Sequence, residues 1–577
     1  MNPEIKKCQN CKNSFVIEPK DFKFYEKIDV PPPTFCPECR QQRRMTWRND
    51  YNFFVRECEL CRKSILSVYS SDKPAPVYCP KCWWGDGWDA KKYAKEFDFN
   101  KSFFVQFKEL LDAVPALAIL NDDGFGSVNC PYTNYFALGK NCYMLINSWK
   151  VEDCMYSVCL VGAKDAVDCA LIFNGGERLY HAINVNNSSR SRYIFNSAGL
   201  LDCSFCFDCR NCSNCFMSIS LRNKQYCFQN RQYTKEDYEQ ILKKYALQTW
   251  SGFEKARLEF ENFILEYPHK YANIEKSVDC SGNYLVNSKN AKHCYIAVRM
   301  ENSKYFERGD TIKDSYDCLS GGEQELCYDS INPDNSYMAL FTSYCHKDND
   351  VFYSDSCQSS EHLFGCVGLK KAQYCILNKQ YTKEDYRRLV SKIIEKMKQD
   401  GEYGEFFPAP LSPFAYNESV AQDEFPLTKE QILAKGLKWQ DNFTKTEGKE
   451  TLSNIPDDIN EITDSILQDI CVCTSCKRNY RITEQELQFY RQNQLPIPRA
   501  CFFCRLKQLY KERSPVRLWM RRCQCSGEIS LNGIYKNTAD HIHHPKTEHC
   551  SNEFETSYAP ERPEIIYCEK CYLREVV

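Results

Sequence analysis

Residues 8–39 read CQNCKNSFVIEPKDFKFYEKIDVPPPTFCPEC, and residues 473–504 read CTSCKRNYRITEQELQFYRQNQLPIPRACFFC. Each stretch opens on a Cys-x2-Cys pair, runs for 24 residues and closes on a second pair: Cys8, Cys11, Cys36 and Cys39 in one, Cys473, Cys476, Cys501 and Cys504 in the other. At a constant offset of 465 the match extends beyond the cysteines: Lys12 falls on Lys477, Ile17 on Ile482, Phe24-Tyr25 on Phe489-Tyr490, Pro31 on Pro496 and Arg40 on Arg505. Two close thiolate pairs, each held by a tight turn, supply the four ligands of one tetrahedral zinc. Such a site leaves no position for water or substrate. These cysteines therefore read as structure and not as catalysts.

Outward from this module the duplication continues. Cys39 to Cys58 and Cys504 to Cys523 are both 19 residues. Cys58, Cys61, Cys79 and Cys82 form a second N-terminal set, and Cys523, Cys525, Cys568 and Cys571 its C-terminal counterpart, with the first pair shortened to Cys-x-Cys and a longer insert. The text around the last pair repeats too, YSSDKPAPVYCPKC at 69–82 against YAPERPEIIYCEKC at 558–571. Four zinc ribbons are expected, A and B before a long middle and A′ and B′ after it, holding about four structural Zn(2+) ions.

The alternative for so many cysteines is disulfides. The N-terminal MNPEIKKCQN has no apolar core of a signal peptide, and no run of eighteen apolar residues occurs. A reducing, cytoplasmic setting is expected, with no membrane association, where the 37 cysteines serve as metal ligands or small buried residues. At 577 residues the chain is too long for one core, and a net charge of −2 gives no global pull toward nucleic acid or membrane.

Between 129 and 380 a short pattern recurs, in which a polar residue precedes Cys or an aromatic. In the first half Cys142, Cys154, Cys169, Tyr180, Tyr193, Cys203, Cys215 and Cys227 are spaced 10 to 15 residues apart, and in the second so are Cys294, Tyr305, Tyr316, Cys327, Tyr337, Phe352, Phe364 and Cys375. Short β-prone segments at this step predict a mainly β fold, a duplicated β-solenoid-like core with an internal ladder of thiols and aromatics. One step is either a whole coil or half of a coil of about 23 residues, and an antiparallel β-sandwich is the competing architecture. The halves repeat at an offset of 148: YCFQNRQYTKEDY at 226–238 returns as YCILNKQYTKEDY at 374–386. Thr234 and Thr382 are placed to cap helices, which would cover the open end of each half. The domains expected are ribbon A over 1–57, ribbon B over 58–100, a linker helix in 101–128, repeat half 1 with capping helices over 129–275 and half 2 with a capping helix over 276–400. A Pro-rich acidic linker over 401–468, ribbon A′ over 469–522 and ribbon B′ over 523–577 complete the chain.

The stretches CPECRQQRR at 36–44, VYCPKCWW at 77–84, NKQYTKEDY at 378–386 and PEIIYCEKCY at 563–572 resemble a family of large, Cys-rich zinc-ribbon-plus-repeat proteins of candidate-phyla bacteria. The resemblance covers nearly the whole chain and implies no established activity.

Five constellations could carry chemistry. Arg40, Arg43, Arg44 and Arg48, and Arg505, Arg513, Arg517, Arg521 and Arg522, alternate with aromatics between successive ribbons. They suit phosphate contact and base stacking on RNA or DNA, or else brace the ribbons internally. Cys203, Cys206, Cys209, Cys212 and Cys215 lie three apart; the spacing lacks the fourth ligand of a ferredoxin-like cluster, and solenoid packing is the plainer reading. His541, His543, His544, His549 and Cys550, in the insert of ribbon B′, are candidate additional ligands or a loop of solvated histidines. Trp83, Trp84 and Trp88 read as a docking cluster. Asp153, Asp168 and Asp202 each precede an anchor and could form a carboxylate row. No GxGxxG, P-loop, GxSxG or HExxH occurs, and no catalytic residue is assigned.

The expectation is a zinc-binding scaffold or adaptor whose partner is a nucleic acid, a nucleoprotein complex or another protein. The alternative is an enzyme, acting on polysaccharide through the solenoid or as a metal-dependent hydrolase using 541–550.

Overall fold

The computed structural model describes residues 2–576 except 74, 442, 444, 445 and 453, the last four within the expected linker. The chain divides into two compact units, Met1–Ile119 with Ile274–Phe443, and Leu120–Asn273 with Thr444–Val577. Each terminal Cys-rich segment thus shares a unit with the copy of the repeat remote from it in sequence. The acidic stretch after the second repeat is divided between the two units.

The protein is mainly β, and each unit holds one 11-stranded sheet. The ladders are parallel, which an antiparallel sandwich cannot supply. Their step is twelve residues: Gly176 pairs with Ser188, Arg192 with Ser204 and Ser204 with Phe216 in one sheet. In the other, Tyr337 pairs with Asn349 and Asn349 with Glu361 at the same step. Backbone conformation has a finer period. Every third residue from 129 to 171, from 175 to 229 and from 284 to 377 has a positive φ. Asn and Asp tolerate the left-handed region because their short side chains bond locally, and they are frequent there, as at Asn141, Asp153, Asn184, Asn196, Asn211 and Asn223. Several also stack along the ladder: Asn141 Nδ2 donates to Asp153 Oδ1 at 3.1 Å and Asn211 Nδ2 to Asn223 Oδ1 at 3.3 Å.

A turn at every third residue also sets which side chains reach the core. In the repeats the residue after a left-handed one is buried nearly throughout, Lys224 being an exposed exception, so Cys203, Cys206, Cys209, Cys212 and Cys215 all enter one apolar cluster with Leu200, Ile194 and Leu179. The repeated turn lets residues three apart share a face that a flat strand would deny them. Inward thiols donate to carbonyls on two levels: Cys206 Sγ–H reaches Ser204 O and Cys215 O, both at 3.6 Å. Inward serines do more. Ser191 Oγ donates to Ser189 O at 2.9 Å and accepts from the Cys203 N–H at 3.1 Å, satisfying a buried donor. Cys, Ser and Ala supply this bonding and the close approach of successive levels, while Leu, Ile, Val and Phe fill the rest of the core.

The expected mixed ladder of thiols and aromatics needs correction. Cys294, Cys327 and Cys375 point inward, whereas Tyr316 faces outward and stacks on Phe24 at 4.0 Å between ring centroids.

Each ladder ends in the same way. Leu377 and Asn378, like Gln229 and Asn230, have positive φ and turn the chain into a short antiparallel strand. Asn378 mimics a peptide: its Oδ1 accepts from the Val367 N–H at 2.8 Å while its Nδ2 donates to Val367 O at 2.8 Å. Helices Lys235–Tyr245 and Lys383–Gln399 follow, capped by Thr234 and Thr382 as expected. The helix Phe103–Ala113 packs on the second repeat where Gly365 (φ +66°) leaves room; a Cβ there would meet the Phe103 ring at 2.9 Å.

Candidate metal centres and the arginine clusters

The first pair of each N-terminal cysteine set lies on a hairpin, and the residue after its second cysteine is left-handed: Lys12, Arg62 and, in the C-terminal copy, Lys477. That turn closes the Lys12 N–H onto Cys8 O at 3.1 Å and the Arg62 N–H onto Cys58 O at 2.8 Å. The second pair opens a helix, with Cys36, Cys79 and Cys501 in the capping position of Pro37–Met45, Pro80–Trp84 and Phe502–Glu512. Backbone N–H groups then face the sulfurs, as from Cys36 to Cys8 Sγ at 3.3 Å and from Cys79 to Cys58 Sγ at 3.4 Å. Burial opposes ionisation of Cys58 and Cys473, but backbone N–H groups from both knuckles of each set outweigh it and bring both thiols down to about 7.

Three groups of four cysteines result, Cys8/Cys11/Cys36/Cys39, Cys58/Cys61/Cys79/Cys82 and Cys473/Cys476/Cys501/Cys504, each able to hold a metal ion. Their Sγ–Sγ separations of 3.7 Å (Cys11–Cys36), 4.0 Å (Cys61–Cys79) and 3.6 Å (Cys476–Cys501) match the edge of a tetrahedron. Metal–sulfur bonds of about 2.3 Å give an edge of about 3.8 Å. A disulfide would need about 2.05 Å, and all the cysteines are free thiols.

The fourth set departs from the expected Cys523, Cys525, Cys568 and Cys571. Cys550 joins Cys523, Cys568 and Cys571, while Cys525 groups with His541, His544 and the same Cys571. With one intervening residue the shortened pair cannot form the knuckle turn, and alternate residues of an extended chain lie about 7 Å apart. Cys550, supplied by the insert, replaces Cys525. His543 Nε2 stands 3.1 Å from Cys571 Sγ, and His549 belongs to neither group.

Of the two readings of the arginines, internal bracing describes Arg40, Arg43, Arg44, Arg48 and Arg505, which pair with carboxylates inside their own units, whereas Arg517 and Arg522 are exposed. Arg40 is 1% exposed and its Nη2 lies 2.8 Å from Asp317; Arg44, also 1% exposed, reaches Asp329 at 2.7 Å and Asp317 at 3.2 Å. Arg43 bridges Asp329 at 2.8 Å and Glu405 at 2.9 Å, and Arg48 holds Asp50 at 2.6 Å. Burial disfavours the Asp50 charge, but Arg48 and Arg308 outweigh it and hold its pKa below the usual range. The C-terminal copy repeats the arrangement: Arg505 meets Asp168 at 2.7 Å and Glu486 at 3.3 Å. Glu486 and Tyr490 correspond to Asp21 and Tyr25 at the offset of 465, but Asp21 pairs with Lys304 at 2.6 Å, so Glu486 as an arginine partner belongs to the C-terminal copy. Arg513 is buried, Arg521 donates to Ala559 O and Gln524 Oε1, Arg522 pairs with Glu553 at 3.0 Å, and Arg517 lies over Trp519.

The other constellations are absorbed likewise. Lys370 Nζ sits 4.2 Å from the Trp83 ring centroid and 5.0 Å from that of Trp88, pinning the second cysteine module on the repeat. Asp153 accepts from Asn141, Asp202 pairs with Arg190 at 2.7 Å and Asp168 is buried on Arg505, so the three do not make an open carboxylate row. One cavity is lined by Trp47, Tyr69, Lys73, Lys108, Asp355 and Lys438 among others, none of them Cys or His. Its cations are paired: Lys73 with Glu418 at 3.4 Å, Lys108 with Asp112, and Lys438 donating to Ser412 O at 2.8 Å. No helix among the described residues is long and apolar enough to cross a membrane.

No protein-family model matches the sequence, and no curated protein matches it either. Among solved structures, a protein of Desulfovibrio desulfuricans G20 described as an acetyltransferase aligns at 9% identity over 46% of this chain and 80% of that one. The TM-score of 0.10 gives that similarity no bearing on fold or activity.

Proposed function

We propose that the protein is a zinc-stabilised, non-catalytic scaffold or adaptor, in which each twelve-residue ladder is a β-solenoid clamped by a pair of zinc ribbons. A four-sided coil accounts for the data: a left-handed residue at each corner, one inward residue per side, and four triplets to the twelve-residue step. One observation carries the functional reading. Most of the groups that could act on a substrate or grip a polyanion are consumed internally, the knuckle thiols by closed four-ligand clusters and Arg40, Arg43, Arg44 and Arg505 by buried carboxylates of the repeats. The buried arginines cannot reach a phosphate without opening the ribbons, so the partner is taken to be a protein engaged through the outer faces of the coils. Thermal melting and mobility-shift assays test this. The expected result is a chain that loses stability on metal removal and leaves RNA and DNA unshifted even at about 50 mM salt, where a protein making about six to ten phosphate contacts binds about 10³–10⁵-fold more tightly than at about 200 mM. Specific retention of nucleic acid at the lower salt, or equal stability with and without metal, would sink the reading.

A further inference from the structure

The shortened Cys-x-Cys pair and the histidines of the insert meet in one buried cluster. We infer that Cys523, Cys550, Cys568 and Cys571 hold one divalent ion, that Cys525, His541, His544 and Cys571 hold a second, and that the Cys571 thiolate bridges them. The inference deepens the structural-metal reading above and rests on it.

The distances have the form of two tetrahedra sharing a corner. Cys525 Sγ lies 3.1 Å from His541 Nδ1 and 3.5 Å from His544 Nε2, the two ring nitrogens are 3.4 Å apart, and His544 Nε2 is 3.5 Å from Cys571 Sγ. On the other side Cys550 Sγ lies 3.9 Å from Cys568 Sγ. Bonds of about 2.0 Å to nitrogen and about 2.3 Å to sulfur require edges of about 3.3–3.8 Å.

The surroundings orient both rings as ligands. His541 Nε2 lies 2.8 Å from Glu575 Oε1, and this carboxylate, whose side chain is fully buried, also receives the Thr538 N–H at 2.8 Å and the Tyr535 hydroxyl at 3.0 Å. His544 Nδ1 faces the carbonyl oxygens of Pro545 at 3.0 Å and Glu548 at 3.1 Å. Acceptors on the outer nitrogens place the protons there and aim the inner lone pairs into the cluster. Thiolate character is supported by N–H donors: Asn537 Nδ2 to Cys525 Sγ at 3.2 Å, Asn552 Nδ2 to Cys568 Sγ at 3.3 Å, and the Cys568 N–H to Cys523 Sγ at 3.2 Å.

Charge favours the second ion wherever all five sulfurs are ionised. All five sulfurs are buried. Five thiolates around one divalent ion would leave about −3 in a site shielded from water, and a second ion reduces this to about −1. Both ions have four protein ligands, so no open position remains for a hydrolytic water, and the insert is a structural clasp.

The test uses the full chain purified without chelator, with metal determined by mass spectrometry and cadmium-113 exchanged in for NMR. About five equivalents are expected, three from the four-cysteine clusters and two from this site. Two of the cadmium resonances should split each other through the shared sulfur. Cys571→Ser should remove two equivalents, and Cys525→Ser, His541→Ala or Cys550→Ser one each. Four equivalents in the native chain, unsplit resonances, or loss of a single equivalent in Cys571→Ser would overturn the bridge. Complete absence of metal would overturn the structural-metal reading as well, which separates the two failures. The NMR readout needs no variant, so a misfolded substitution does not leave the question open.

Discussion

Cys206 and Cys36 are both buried, yet their neighbours give them different work. Cys206 meets carbonyl oxygens and stays a thiol, with burial pushing its pKa well up. Cys36 meets other sulfurs, Cys11 Sγ at 3.7 Å among them, at the spacing of ligands around one metal ion. The same distinction applies to buried acids. Asp168 has Arg505 as a partner; removing one member strands the other, and Arg505→Ala is expected to cost about 3–5 kcal/mol in urea unfolding. The double variant Arg505→Met/Asp168→Leu should recover part of that loss, since Glu486, which Arg505 also meets at 3.3 Å, stays buried; a double variant no better than the single one would show that packing, not charge, is responsible. Asp348 has no such cation. It occupies an inward position between Ser336 and Ser360 and accepts the Ser360 N–H at 2.7 Å, and burial raises its pKa to about 7. A raised carboxyl pKa means the folded state holds the proton longer than the unfolded one. Its contribution is therefore complete below about pH 4 and is lost as pH rises through 7. Asp348→Ser should remove roughly 4 kcal/mol of this pH dependence, so that melting profiles of variant and parent coincide at pH 4 and separate in favour of the variant at pH 8. Parallel profiles across that window would refute the assignment.

At the scale of elements, the ladders are held by what ends them. A parallel rung twelve residues wide leaves its last strand open to pairing with another chain. The hairpin after Cys375 closes it, and Asn378 fastens the turn with a third bond, from Nδ2 to Ala90 O at 3.0 Å. Alanine at that position would lose these bonds and adopt φ near +65° without local compensation. Asn378→Ala is accordingly expected to destabilise by about 3 kcal/mol and to favour oligomers, read by urea unfolding and light scattering. Unchanged stability would mean that the following helix, and not the asparagine, closes the end.

Across each unit, the cysteine modules and the repeats depend on each other. The helix Pro37–Met45 begins at Cys36 and carries Arg40, Arg43 and Arg44 onto Asp317 and Asp329; Phe502–Glu512 begins at Cys501 and carries Arg505 onto Asp168. Metal removal should release the helices and leave those carboxylates without cations. Limited proteolysis after chelation is expected to cut first within 8–82 and 473–571, followed by loss of the repeats at lower temperature than in the metal-loaded protein. First cuts inside 284–377 would contradict this order.

The cysteine knuckles, the offsets of 465 and 148, the helix caps at Thr234 and Thr382 and the β character of the middle were all legible in sequence, because each is set by residues close together in the chain. The step of the ladder was legible only roughly, since outward Tyr316 and inward Cys327 had been counted as one series. The triplet of small inward residues was the better signal, and Cys203 to Cys215 displayed it openly. The fate of the arginines and the exchange of Cys525 for Cys550 could be decided only by the tertiary structure. Arg44 finds its counter-charge on Asp329, 285 residues away, and a charged side chain reads identically in sequence whether solvent or a buried carboxylate receives it.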